Sequence, residues 1–471
     1  MRLIRFAAAL VIVRVLTGED YGRFSFVYVY ISFYEVFVHF GLNATLIREV
    51  TQAPGRTPQI LGNALLFKVL LCIAAWPVMI GVIYLSNYPI SVLNGVLLAG
   101  FQLFFSVRDI YEVAYKVNLK MITPTLWNTL KNTLALLMVM VVAWLRPSIH
   151  TFILAYLVSG LVGLSGFILF TRRFIRLDFR PDFQMIKHLI SQSFPLLLSG
   201  YLTLIYYRID VVMLSKMKTF LDVGYYSVAV RLTESLDVIA ASVMVSLFPL
   251  ISRYFKEDRS SFETTISRGF RVLLLLGLPI SIGGTLVAPE LTIFLFGTAY
   301  TPSSTTLGIL LWYTCLTFLG RLLASVLIAC GRQITDAWIS FAQVIANIGL
   351  NLILIPHYSY NGAAAATIVG AFVGVAFTFF YAVRDPRIRL PIPWREGWQA
   401  AGVNLIFGAV FWAFLSATVL PVWIEMPIGI GIYTFLLWAF RIFHWHQVFD
   451  YFSQMRKPPI LPMVPSNGES L

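Results

Sequence analysis

The sequence predicts an all-α polytopic membrane protein of about 14 transmembrane helices. Three observations carry that expectation. Of 471 residues, 58% are hydrophobic and only 12% are charged, whereas soluble domains carry roughly 25% charged residues. Apolar runs long enough to cross a bilayer, about 20 residues each, recur along the chain. The basic residues fall in alternate loops, as topology demands of a multi-pass chain.

In order, the spans are read at 1–17, 23–45, 58–85, 90–107, 122–145, 150–171, 192–215, 222–250, 269–296, 303–328, 334–356, 360–383, 397–420 and 424–442. The first begins Met1-Arg-Leu-Ile-Arg5 and runs apolar to Val13, the outline of a signal peptide. Arg14 interrupts the run and no small-residue cleavage pattern follows, so it is read as a short first membrane helix. Loops on the side of the N-terminus hold twenty-five Lys and Arg, from Arg2 and Arg5 through Arg48, Arg56, Arg108, Lys116, Lys120, Arg172, Arg173, Arg176 and onward to Arg456 and Lys457. Loops on the other side hold four: Arg23, Arg146, Lys216 and Lys218. That bias places both termini in the cytoplasm. The proline-containing tail ending Ser-Asn-Gly-Glu-Ser-Leu471 is read as a disordered end.

An internal repeat organises the spans. Gly22-Arg-Phe-Ser-Phe26 follows the first tight outer loop, and Gly224-Tyr-Tyr-Ser-Val228 stands 202 residues later in the same setting. At that offset Glu35 falls on Asp237. An even number of helices separates the repeats, so they run parallel. Two six-helix bundles in pseudo-twofold repeat are expected at 1–172 and 192–384, joined by a basic cytoplasmic linker at 173–191. Helices 13 and 14 (385–442) and a cytoplasmic tail (443–471) follow.

A net charge of +13 does not point to nucleic acid, because the cations sit in short loops between spans rather than on an aromatic-studded polar face. The intervals between spans leave no room for an ATP-hydrolysing module. Cys72, Cys315 and Cys330 lie in apolar runs and read as packing residues, with no disulfide framework or metal site. The six histidines, His39, His150, His188, His357, His444 and His446, are scattered, and no catalytic set or cofactor is expected.

The informative residues are ionisable side chains inside the spans: Arg14, Glu35, Lys68, Lys131, Arg208, Asp210, Arg231, Glu234, Asp237 and Arg321. Each costs roughly 2.5–3.5 kcal/mol at a helix centre on insertion scales, so such groups need a polar cavity to face. Cations exceed acids, as transport of an anionic solute would require. Lys68, Lys131, Arg208, Arg231 and Arg321 are the candidate substrate-binding cations, since Lys and Arg pair with diphosphate oxygens. Glu35, Asp210, Glu234 and Asp237 are candidates for loading H⁺ or Na⁺. Arg231, Glu234 and Asp237 share one helix face, where Arg231 can pair with Glu234 one turn away. Arg208 and Asp210 lie about 200° apart on theirs. Tyr206, Tyr207, Tyr225 and Tyr226 offer ring faces to sugars, or simply pack. Arg14 is read as a cation near the outer surface, opposite Lys216.

The residues also carry a resemblance. Leu16-Thr-Gly-Glu-Asp-Tyr21-Gly22-Arg-Phe-Ser25, then Phe40-Gly41-Leu42 and Ile47-Arg48-Glu49, are similar to the opening of the polysaccharide (oligosaccharide) flippases. These belong to the superfamily that also contains multidrug extruders and lipid II flippases. Ser193-Phe-Pro195, Tyr206-Tyr-Arg-Ile-Asp210, Val223-Gly224-Tyr-Tyr-Ser227, Leu247-Phe-Pro249, Phe296-Gly297-Thr-Ala-Tyr300, Asn351-Leu-Ile-Leu-Ile-Pro356 and Asn361-Gly362 continue the pattern. The resemblance implies a carrier of a polyprenyl-diphosphate-linked glycan across the cytoplasmic membrane of a prokaryote. It further implies membrane lipid, a coupling ion (H⁺ or Na⁺) and a polysaccharide polymerase with other assembly proteins as partners. An ion-coupled extruder, a lipid II-type flippase, and a membrane enzyme or scaffold of envelope glycan assembly remain the alternatives.

Overall fold

The computed structural model describes residues 2–172, 177–388, 390 and 394–441. The expected tail at 443–471, the end of helix 14 at 442, and Arg173, Arg176 and Arg389 of the basic loops lie outside them. The described residues are helical throughout, and twelve helical stretches are long and apolar enough to cross a membrane. Contacts divide the chain into two compact units, Met1–Pro393 and Trp394–Leu471.

The first unit opens with α1 (Arg2–Val15) and α2 (Gly18–His39). At about 1.5 Å per residue α1 is roughly 21 Å long, short of the ~30 Å hydrocarbon core, so it is not among the twelve. Phe40 (φ 49°) and Gly41 (φ 69°) are both left-handed, which ends α2 and starts α3 (Leu42–Gln52). A Cβ at Gly41 would stand 2.5 Å from Leu196 Cβ, so glycine is needed there for both its angle and its contact.

Next come α4 (Thr57–Leu85), α5 (Ile90–Ala99), a 3₁₀ stretch (Gly100–Val107) and α6 (Arg108–Val117). The span expected to stop at 107 thus continues through Arg108, Asp109 and Glu112. These charges do not end the helix because they are paired within the fold. α7 (Ile122–Leu145) and α8 (Ile149–Thr171) complete this part.

The linker resumes at 177 against the start of α4. Asp178 N–H donates to Pro58 O (2.9 Å), Asn63 Nδ2 to Arg180 O (3.1 Å), and Asp182 N–H to Asn63 Oδ1 (2.7 Å). α9 (Phe183–Met217), α10 (Phe220–Glu257), α11 (Arg259–Leu286), α12 (Ala288–Phe296) and α13 (Ser303–Ala329) follow. α9 and α10 are longer than a bilayer needs and project beyond it.

α14 (Gln333–Arg384) is continuous by hydrogen bonding, but Ser359 (φ 49°, ψ −131°) breaks it. If straight, its 52 residues would extend roughly 78 Å. Instead Arg332, just before it, sits 2.6 Å from Asp385, just after it. The element is therefore a hairpin of two crossings, the expected spans 11 and 12. With α1 and both arms of α14 counted, and α15 (Trp394–Ala417) and α16 (Val422–Ala439) in the second unit, the described helices match the fourteen expected segments.

Two glycine contacts are reciprocal at the expected offset. A Cβ on Gly22 would lie 1.7 Å from Phe220 O, and one on Gly224 would lie 2.2 Å from Gly18 O. These two contacts exchange into each other at an offset of 202 residues. The same offset relates the caps: Thr17 accepts from Asp20 N–H at the start of α2, and Thr219 from Asp222 N–H at the start of α10. Arg14 donates to the last carbonyls of α12, Leu295 O (2.8 Å) and Phe294 O, while Lys216 donates to Ser86 O at the end of α4 (2.5 Å). Each cation thus satisfies orphan carbonyls at a helix C-terminus in the other repeat.

Candidate functional site

In the second repeat the spacing of acids along α10 brings them to different arginines. Arg321 of α13 grips Asp237 with two bonds, Nε to Oδ1 (2.7 Å) and Nη2 to Oδ2 (2.5 Å). Arg208 of α9 meets Glu234 at 2.8 Å. The intrahelical pair expected for Glu234 with Arg231 is therefore replaced by an interhelical one, because α9 presents its guanidinium nearer. Arg231, half-buried, makes no ion pair or side-chain hydrogen bond among the described residues. Its electrostatic neighbours include Tyr21 of α2 and Tyr156 of α8.

Asp210 turns to the opposite side of α9 from Arg208 and is buried, 2% exposed. Its Oδ2 accepts from Tyr226 (2.6 Å) and Thr367 (2.7 Å), and its Oδ1 from Asn351 Nδ2 (2.5 Å). All three donors are neutral. Asn351 Oδ1 beside them has no hydrogen-bond partner.

In the first repeat Lys68 is 1% exposed, with Nζ 2.8 Å from Asp109 Oδ2. His39 Nδ1 approaches the same oxygen at 2.9 Å. Arg108 pairs with Glu112 (3.0 Å) and lies 4.5 Å over the Phe167 ring. Lys131 lays its stem against Gly163 of α8, where a Cβ would stand 2.7 Å from Lys131 Cγ. Neither Lys131 nor Glu35 has an ion pair among the described residues. Each is an electrostatic neighbour of the other, with Asp109 and His39 also beside Glu35, and Arg108, Arg5 and Glu112 beside Lys131.

Tyr156 neighbours both Arg231 and Arg5, and Arg5 neighbours Lys131, so the charges of the two repeats form one connected group. It contains Arg5, Lys68, Arg108, Lys131, Arg208, Arg231 and Arg321 against Glu35, Asp109, Glu112, Glu234 and Asp237, an excess of two cations.

The four tyrosines do not form one platform. Tyr206 and Tyr207 contact each other edge to face, Tyr226 serves Asp210, and Tyr225 joins Tyr300 and Tyr360. Tyr300 also meets Tyr21, so aromatic rings bridge the repeats where α2 and α10 begin. Two apolar grooves, of about 360 Å³ beside Trp312 and about 410 Å³ beside Trp127, contain none of the charged candidates. Sequence reasoning missed His39, Asp109 and Glu112. Asp109 and Glu112 resemble loop residues because they follow Arg108, and only the i,i+4 spacing of Arg108 and Glu112 hinted at a continuing helix.

A family profile described as "Polysaccharide biosynthesis protein" matches residues 1–255, and a second, "MatE", matches 195–353. Among curated proteins, the chain is 25% identical over 252 residues to the "Probable low-salt glycan biosynthesis flippase Agl15" of Haloferax volcanii, covering 53% of each. The chain thus spans about half the length of that relative. It is 20% identical over 384 residues to the "Capsular polysaccharide biosynthesis protein CapF" of Staphylococcus aureus, covering 80% of this chain and 95% of the relative. Among solved structures, its fold follows the lipid II flippase MurJ in an inward closed conformation, at TM-score 0.78, 16% identity and coverage of 93% and 96%. It also follows an inward-facing multidrug resistance MATE family transporter, at TM-score 0.64, 14% identity and coverage of 81% and 94%. With more than half its length matched by one profile, this protein belongs to the polysaccharide biosynthesis protein family.

Proposed function

We propose that this chain is a flippase that carries a polyprenyl-diphosphate-linked oligosaccharide from the cytoplasmic to the outer leaflet for polysaccharide biosynthesis and export. The observation that carries the reading is the connected charge group with its cation excess, in which Arg5, Lys131 and Arg231 have no ion pair among the described residues. A diphosphate brings the acceptor oxygens those cations lack. Lys68, Arg208 and Arg321 are partnered at present, and the incoming diphosphate competes with Asp109, Glu234 and Asp237 for them. The glycan-biosynthesis roles named for the two curated relatives support this substrate class.

The mechanism is alternating access of two six-helix bundles, 1–172 and 192–384, about a pseudo-twofold axis between Gly22 and Gly224. The reciprocal glycine contacts and reciprocal Arg14 and Lys216 caps support that symmetry. The linker at 173–191 joins the bundles, helices 13 and 14 follow at 385–442, and the tail at 443–471 is cytoplasmic. The arginine-rich face lies in the cytoplasm with both termini, in the inner membrane of a prokaryote. Glu35, Asp210, Glu234 and Asp237 remain the coupling candidates. Asp210 suits H⁺ or Na⁺ best, since a buried carboxylate without a counter-cation stands beside the orphan Asn351 Oδ1. Membrane lipid, the coupling ion and a polysaccharide polymerase with other assembly proteins are the partners.

The MatE match favours an ion-coupled extruder as the second reading. The arginines on Glu234 and Asp237 count against it, because they neutralise the acids a cationic drug would need. The test is a leaflet-resolved assay in proteoliposomes loaded with a fluorescent polyprenyl-diphosphate glycan, with and without pH and Na⁺ gradients. Protein-dependent exposure of the glycan in the opposite leaflet is expected. Absence of exposure, with a small organic cation pumped in the same vesicles, would transfer the protein to the extruder reading.

A further inference from the structure

A carboxylate shared by two bases lies where α2 ends. Asp109 Oδ2 receives Lys68 Nζ at 2.8 Å and His39 Nδ1 at 2.9 Å. The two bases differ in access: the Lys68 side chain is 1% exposed and that of His39 is 43% exposed. Lys68 and Asp109 therefore neutralise each other inside the packing, while the imidazole is not enclosed by the protein. An ionised carboxylate only accepts hydrogen bonds, so neutral His39 must carry its proton on Nδ1 to satisfy this contact. Its Nε2 is then the lone-pair nitrogen. A proton there makes His39 a cation, with Nδ1–H still donating to Asp109 and no heavy atom displaced.

The charged groups around His39 frame the consequence. On α2, Glu35 lies one turn earlier and has no ion pair. α4 supplies Lys68 and α6 supplies Asp109, while Arg108 and Glu112 of α6 engage each other. α7 supplies Lys131, which neighbours Glu35. On α3 and α9, Arg48 and His188 both engage Glu49. Two carboxylates, Asp109 and Glu35, thus flank the imidazole, with one cation, Lys68, already committed. Imidazole is also the side chain whose charge ordinarily changes between about pH 5 and 8.

We propose that His39 and Asp109 form a proton-binding dyad in the first repeat, with Lys68 holding Asp109 ionised and Glu35 facing the charge that the proton brings. Asp109 and Lys68 belong to the charge group described above and His39 adjoins it, so the dyad's coupling to flux rests on the flippase reading. Its binding of a proton does not.

Two measurements separate these levels. ¹⁵N-histidine NMR of the full chain in nanodiscs, with the His39 signal identified by its loss in His39→Gln, is expected to show one imidazole protonating between pH 5 and 8. Above that transition the neutral imidazole is expected as the Nδ1–H tautomer, a preference that disappears in Asp109→Asn and persists in His188→Gln. A His39 that does not titrate in this range, or whose tautomer ignores Asp109→Asn, overturns the dyad. In proteoliposomes, His39→Gln is expected to lose at least fivefold of the acceleration of glycan exposure that a pH gradient produces in the wild-type protein. Full acceleration in the variant overturns the coupling role. Absence of glycan exposure by wild-type protein with an intact titration would overturn the flippase reading and leave the proton site standing.

Discussion

Glu35 and Asp237 occupy the same place in the two repeats, 202 residues apart, yet they live differently. Asp237 is gripped by both nitrogens of Arg321, whereas Glu35 has no ion pair and neighbours His39, Asp109 and Lys131. The helix frame around them is shared, down to the reciprocal glycine crossing and the paired caps. Duplicated backbone geometry therefore does not carry duplicated chemistry. Close packing of α2 on α10 depends on small residues at matched places, while a side chain's partner depends on what the neighbouring helices present.

The largest test strikes the shared frame. Gly22→Leu and Gly224→Leu each drive a side chain into opposing backbone and are expected to abolish folded protein in the membrane, read by size-exclusion profiles in detergent. Tolerance of one and not the other would break the symmetry. Next in size, Arg231→Ala should lower glycan flux at least tenfold at unchanged membrane abundance, because this arginine has no ion pair among the described residues and neighbours Tyr21 and Tyr156. Normal flux would remove α10 from the site.

The comparison itself is sharpened by Asp237→Asn against Glu35→Gln. The first leaves a half-buried guanidinium unpaired and should cost about 1–3 kcal/mol in thermal unfolding; the second should stay within about 0.5 kcal/mol. Equal costs would mean that Glu35 is held as firmly as its counterpart. Both should reduce flux.

The smallest effect lies outside the membrane, at the hairpin of α14. Burial pushes the Asp385 carboxyl up, but the Arg387 N–H, the Tyr381 hydroxyl and the Arg332 guanidinium together hold it below the ordinary carboxylate range. A lowered carboxylate stabilises the fold above its unfolded value, and that contribution disappears as pH falls through the folded one. Asp385→Asn should therefore melt below wild type near neutrality, with the difference shrinking below about pH 4. A constant difference across that range would remove the charge from the explanation.

Much of this was legible in one dimension. Hydropathy set the order of the spans, because a bilayer imposes a length on every apolar run, while helices such as α9 and α11 begin well before their apolar stretches, at Phe183 and Arg259 rather than 192 and 269. The correspondence of Glu35 with Asp237 was read from the 202-residue offset. The continuation of the fourth span through Arg108 was not, because charged residues end an apolar run in sequence whether or not they are paired in space. The break in α14 at Ser359 falls in the gap expected between the spans 334–356 and 360–383.

The sequence by itself determined the class of protein, the order of its helices and the positions of its in-span charges, all of which follow from the exclusion of polar groups from lipid. Only the tertiary structure decided that Glu234 meets Arg208 instead of Arg231, that Asp109 is shared by Lys68 and His39, and that Arg231 has no ion pair among the described residues. Those choices depend on the rotation of one helix against its neighbours, and the periodicity of a single helix contains no information about where another helix points its side chains.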